Sequence, residues 1–155
     1  MSRNSRAVLA LLAGVSVAAC SDGVPAYGGY RAVDSGGWQR GDTVGIVLGP
    51  LRHGGQYACE LGLRTTSLFP FTQLSVTVSQ ESRPSGFARR DTLTVRIADD
   101  GGKMLGEGVS HYQYLVPLPS TVLAKGDTLS VAVCHNMLRS PLAGVTDVGF
   151  TIKKK

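Results

Sequence analysis

Cys20 is the residue whose neighbours point most directly to chemistry. It closes the run Val17-Ala18-Ala19-Cys20, the small-residue pattern cut by the signal peptidase that makes bacterial lipoproteins. A cut before Cys20 exposes a thiol for lipid attachment, with palmitate the expected acyl chain. The residues upstream read as an export signal. Arg3 and Arg6 supply the positive start. Ala7 through Ala19 then form an apolar stretch of about thirteen residues, the usual length of a secretory hydrophobic region. A membrane-spanning helix needs roughly 20. An ordinary cleaved signal with a chance cysteine is the plain alternative. The small residues and the cysteine fall together at the end of the run, which favours lipidation.

Other reactive side chains form weaker patterns. The three histidines, His53, His111 and His135, lack the HxxxH or HxH spacing of metal ligands, so no metal is expected. No GxSxG elbow, HExxH helix or glycine-rich phosphate loop occurs, so no catalytic residue and no cofactor are expected. Asp91, Asp99, Asp100 and Glu107 flank one predicted hairpin and could bind calcium, but Asp99 and Asp100 read more simply as turn residues. An enzyme acting on envelope polymers would rest on these acids and His111 alone. Among the aromatics, Phe69 and Phe71 read as core. Tyr112 and Tyr114 share one face of a strand and could stack on a sugar, which makes a glycan the alternative partner. Cys59 and Cys134 are the remaining thiols once Cys20 is lipidated. By strand parity one points inward and the other outward, which argues against a bridge.

The elements that must carry these residues are strands. Leu74, Val76 and Val78 alternate with Ser75, Thr77 and Ser79, and Leu129, Val131 and Val133 alternate with Ser130 and Ala132. The same period recurs around Leu93-Val95-Ile97 and Val148-Phe150-Ile152. A period of two means one buried and one wetted face. Strands are expected at 43–48, 56–65, 73–80, 88–98, 103–108, 111–116, 128–135 and 145–153. Asp99-Asp100-Gly101-Gly102 reads as a tight turn. Pro70, Pro117 and Pro119 belong at edges or connections, because proline cannot donate to a ladder. The fold class is therefore all-β, a single antiparallel β-sandwich with jelly-roll character. It follows a signal at 1–19 and a glycine-rich flexible tether at 20–41, and itself occupies 42–155. Tyr27, Tyr30 and Trp38 suggest that the later part of the tether docks.

The formal charge is +5, but Arg3 and Arg6 leave with the signal and Lys153, Lys154 and Lys155 form a short basic tail. The body between is close to neutral. That pattern carries no nucleic-acid footprint, and the tail reads as a solvated end.

The order of motifs resembles the GldH family of gliding-motility lipoproteins of Bacteroidota. Leu61-Gly62-Leu63-Arg64-Thr65 and Phe69-Pro70-Phe71-Thr72-Gln73-Leu74 are similar to two of its segments. Ile97-Ala98-Asp99-Asp100-Gly101-Gly102-Lys103-Met104-Leu105-Gly106-Glu107-Gly108 is similar to its most specific run, Leu-Ala-Asp-x-x-Gly-x-Trp-Leu-Gly-x-Gly. Leu142-Ala143-Gly144-Val145-Thr146-Asp147-Val148-Gly149 is similar to its close. Gln73 stands where asparagine is usual and Met104 where tryptophan is usual. If Gln73 lies on a partner surface, the departure weakens that surface. The resemblance implies a non-catalytic envelope lipoprotein, anchored to membrane through Cys20. Its partners would be envelope proteins of the gliding machinery or the linked type IX secretion apparatus. Ser21 follows Cys20 where an aspartate would signal inner-membrane retention in enterobacteria, which favours the outer membrane.

Overall fold

The computed structural model describes residues 26–155. Expectations for the signal and for Cys20 lie outside the described residues. The chain is all-β, with β1 (Ala26–Ala32), β2 (Val44–Leu48), β3 (Gly55–Thr66), β4 (Gln73–Arg83), β5 (Ala88–Arg96), β6 (His111–Leu123), β7 (Thr128–His135) and β8 (Val145–Lys154). Two antiparallel sheets run in the orders β1-β8-β3-β6 and β2-β7-β4-β5. First pairs with last, second with seventh, third with sixth and fourth with fifth. This is a jelly roll: one long hairpin of strand pairs rolled into a sandwich.

The alternation read in the sequence fills the space between the sheets. Tyr57, Leu61 and Leu63 of β3 and Val148, Phe150 and Ile152 of β8 face Leu74, Val76 and Val78 of β4 and Leu129, Val131 and Val133 of β7, all buried. Removing that much apolar area from water is the main stabilising term.

Three expectations are corrected. The tether does not extend through residue 41. Ala26–Ala32 is an edge strand in register with β8 from Ala26↔Lys153 to Ala32↔Asp147, and the segment after it is pinned by Trp38. That indole is buried, donates from Nε1 to Asp42 O at 3.0 Å, and lies edge-on to the His135 ring at 5.1 Å. Trp38 and Leu142 exchange backbone hydrogen bonds of 2.9 and 2.8 Å. His135 Nε2 donates to Trp38 O at 2.9 Å while its Nδ1 accepts from Met137 N, which fixes one tautomer. Second, 103–108 is no strand but a turn region held by isolated bridges, Ala98↔Met104 and Glu107↔Gln113. Third, the lysines are not a loose tail. Lys153 and Lys154 are β8 residues paired with Ala58 and Tyr57, and Lys155 N donates to Gln56 O at 2.9 Å.

Pro117 and Pro119 lie within β6, which runs past both to Leu123. β6 is the edge of its sheet, so their missing donors cost nothing on the open side. Cys59 is buried and Cys134 half-buried on the outward parity of β7, and both are free thiols.

Candidate functional site

The most specific run of the sequence, Ile97–Gly108, folds as a cap over one end of the gap between edge strands β5 and β6. Asp99 organises its turn. Its Oδ1 accepts from Gly101 N and Lys103 N, each at 2.9 Å, and Asp99 N donates to Lys103 O at 2.9 Å. Leu105 N reaches back to Ile97 O at 2.9 Å. The two later glycines are steric requirements. A Cβ on Gly106 would meet the Tyr114 ring at 2.6 Å, and Gly108, at φ +138°, would collide with the His111 carbonyl oxygen. Only glycine adopts such positions freely.

Beneath this cap lies a shallow groove of about 370 Å³, lined by Val95, Arg96, Leu105, Glu107, Leu115 and Val116 among others. Leu105 and Leu115 are about half exposed, at 49% and 54%. The acids are not gathered there. Asp91 Oδ2 pairs with Arg89 Nε at 3.0 Å, and Asp100 with Arg96 at 3.1 Å. Asp99 serves its own turn. Among the described residues, no group of three or more His, Cys, Asp or Glu side chains converges on a metal position.

The structure separates the residues expected to form a ligand surface. Tyr114 is buried at 7% exposure, and its hydroxyl donates to Ile97 O at 2.7 Å. Tyr112 is half-buried and packs against the core. The two rings share an inward face, so a sugar could not lie on Tyr114 without drawing it out of the core. Gln73 is exposed at the start of β4, opposite Arg96, in the other sheet from the tyrosines. Met104 is partly buried against the core. Phe69 is buried as expected, but Phe71 is 37% exposed, with the two rings edge-to-face at 6.0 Å.

Sequence reasoning missed one constellation, on the outer face of the β1-β8-β3-β6 sheet. The Tyr30 ring lies across Gly149 and Gly62, where any Cβ would strike it. The Arg64 guanidinium sits over the other face of the ring, 4.0 Å from its centroid. Burial pushes the Tyr30 hydroxyl above the usual phenol range against the opposing pull of Arg64, with Glu60 and Asp147 adding to the rise. The available signal was the pair of lone glycines inside alternating strands, Leu61-Gly62-Leu63 and Val148-Gly149-Phe150. With both ring faces covered, this arrangement ties strands together and leaves no stacking surface.

Comparisons with known proteins follow these boundaries. The family model described as GldH lipoprotein matches residues 26–152, nearly the whole folded body. The gliding motility lipoprotein GldH of Flavobacterium johnsoniae is 29% identical over an alignment 160 positions long that covers 94% of each chain. Among solved structures, the Eiger TNF of S. frugiperda covers 86% of this chain and 93% of its own, at 13% identity and TM-score 0.35. A structure of infectious bursal disease virus covers 84% of this chain and 31% of its own, at 12% identity and TM-score 0.34. Neither structural likeness bears on function.

Proposed function

The chain belongs to the GldH lipoprotein family, and from that premise we propose that it is a lipid-anchored, non-catalytic component of the cell envelope. It supports the gliding machinery and the type IX secretion apparatus linked to it, from the outer membrane. The observation that carries this reading is that the family match begins at Ala26, where β1 begins, six residues after the lipid-acceptor pattern ending at Cys20. A folded body and an attachment point are thus joined by a very short connection. Lipid attachment contributes about 0.8 kcal/mol per buried CH₂, so several acyl chains hold such a body firmly at a membrane. The acids engaged in turns and ion pairs, the tyrosine rings held in the core and the shallow groove suit contact with other proteins better than turnover of a substrate. Gln73, Arg96 and Leu115 are the exposed residues through which that contact is proposed.

The test is genetic and biochemical together. Deleting the gene abolishes surface spreading or release of secreted cargo. The intact gene restores it, and a Cys20→Ala version does not. Gentle cross-linking recovers envelope proteins with the lipidated chain. Full restoration by Cys20→Ala, or an unacylated protein in the soluble fraction, overturns the reading.

A further inference from the structure

The jelly roll brings a set of scattered basic residues to the end of the sandwich from which the anchor segment leaves. β1 starts there at Ala26, and Ala26 pairs with Lys153. β3 begins and β6 and β8 finish at the same end, through Gly55↔Leu123 and Tyr57↔Lys154. β4 also ends there, with Arg83 opposite Thr128 at the start of β7. Lys153, Lys154 and Lys155 are thereby grouped with Arg52 and Lys125 of two adjoining connections and with Arg83 at the end of β4. Arg52 N donates to the Tyr27 hydroxyl at 2.8 Å, which fixes its loop beside β1. Lys125 N lies only 3.0 Å from where a Cβ on Gly54 would stand, and the Lys154 side chain passes over Gly55. All six are exposed apart from the half-buried Lys154.

Among the described residues acids do not balance this end, and Asp22 is the one acid between Cys20 and Ala26. Asp127 lies there but is fully buried and occupied by Ser85 and Ala124 N. Glu81 is exposed two residues in from the end of β4. Asp34, Asp42, Asp99, Asp100 and Glu107 all sit in connections at the opposite end. The β3 strand of 12 residues separates the two ends by about 40 Å. That is several times the roughly 8 Å screening length at physiological salt.

We propose that this basic end is a membrane-facing collar that binds the anionic phospholipid headgroups of the membrane carrying the anchor. The inference rests on lipidation at Cys20. From Cys20 to Ala26 is six residues, which reach at most about 20 Å fully extended. That reach holds the collar near the bilayer, with the groove turned away at the opposite end, where Arg31, Arg40, Arg96, Lys103 and Arg139 accompany the acids. Each basic group within a screening length of an anionic surface shifts its own occupancy there by about fivefold.

The chain's lysines supply the test. Lys125, Lys153, Lys154 and Lys155 lie in the collar, and Lys103 lies at the far end. The lipidated full chain is reconstituted on vesicles of phosphatidylcholine, with or without phosphatidylglycerol. It is labelled briefly with an amine acetylating reagent and read by peptide mass spectrometry. On the anionic vesicles, labelling of the four collar lysines falls about fivefold while Lys103 is unchanged, and about 1 M salt removes the difference. In a K153Q/K154Q/K155Q variant, protection of Lys125 falls as well. Equal labelling on both vesicles, with Cys20 shown to be acylated, overturns the collar alone. An unacylated Cys20 and failure to join any vesicle overturn the anchor reading and the collar with it.

Discussion

Tyr30 and its two glycines illustrate how single residues set limits here. A methyl group on Gly62 or Gly149 would occupy space the tyrosine ring already fills. Gly62→Ala is expected to lower stability by about 1–3 kcal/mol, as overpacking does. Adding Tyr30→Ala should remove most of the penalty, since the three atoms nearest that methyl all belong to Tyr30. Denaturant midpoints of the two single variants and the double variant measure it, and a strictly additive pair would place the strain elsewhere. Asp127 carries a pH-dependent contribution. Burial alone would raise its pKa, but hydrogen bonds from the Ser85 hydroxyl, Ala124 N, Ser85 N and Ser82 outweigh it and hold the carboxyl below its ordinary 3.8. A lowered folded value stabilises above the unfolded one and is lost as pH falls through the folded one. The stability gap between wild type and Asp127→Asn should therefore be largest near neutrality and close below about pH 4, followed by thermal melting across that range. Cys59 is the reverse case. Burial pushes its thiol up, against weaker opposing hydrogen bonding from Thr121. Iodoacetamide at mildly alkaline pH is expected to modify Cys134 and spare Cys59 until the chain unfolds; equal rates at both would show an open core.

At the scale of elements, the strands with apolar alternation were legible and the others were not, for identifiable reasons. β3, β4, β7 and β8 bury one face each, so their sequences carry the period. β1, Ala26-Tyr27-Gly28-Gly29-Tyr30-Arg31-Ala32, carries no such period. It is a strand because β8 offers it a complete ladder, and Gly28 is needed where Thr151 presses close. The prolines of β6 suggested an early end, yet its open edge tolerates them. The stretch 103–108 was expected as a strand because it follows the tight turn Asp99-Asp100-Gly101-Gly102, which reads as that of a hairpin. Its positive-φ glycines at 102 and 108 bend it into a cap instead. An expectation at this scale concerns β1 itself. Removing Ala26–Ala32 uncovers the β8 edge, and unpaired edges recruit other strands. Size-exclusion chromatography should show the shortened chain as oligomers while the intact body runs as a monomer.

For the whole molecule, fold class was readable because alternation and turn signals recur along the chain, and the jelly-roll order followed once first and last strands paired. The ligand surface was not readable. Tyr114 lines the groove yet is buried, its hydroxyl tied to Ile97 O, a contact set by the cap and invisible in local spacing. The Tyr30 arrangement joins residues from three strands that sequence separation hides. Pairing of β1 with β8 also imposes a timing on biogenesis. Under the proposed export the chain emerges amino end first, so β1 emerges early and must wait for β8, which emerges late. On the same proposal the processing enzymes act at Cys20 during that interval, before β1 is captured by the sandwich. A truncation that stops before Val145 should then be cut and acylated at the normal rate, yet never mature into a protease-resistant body.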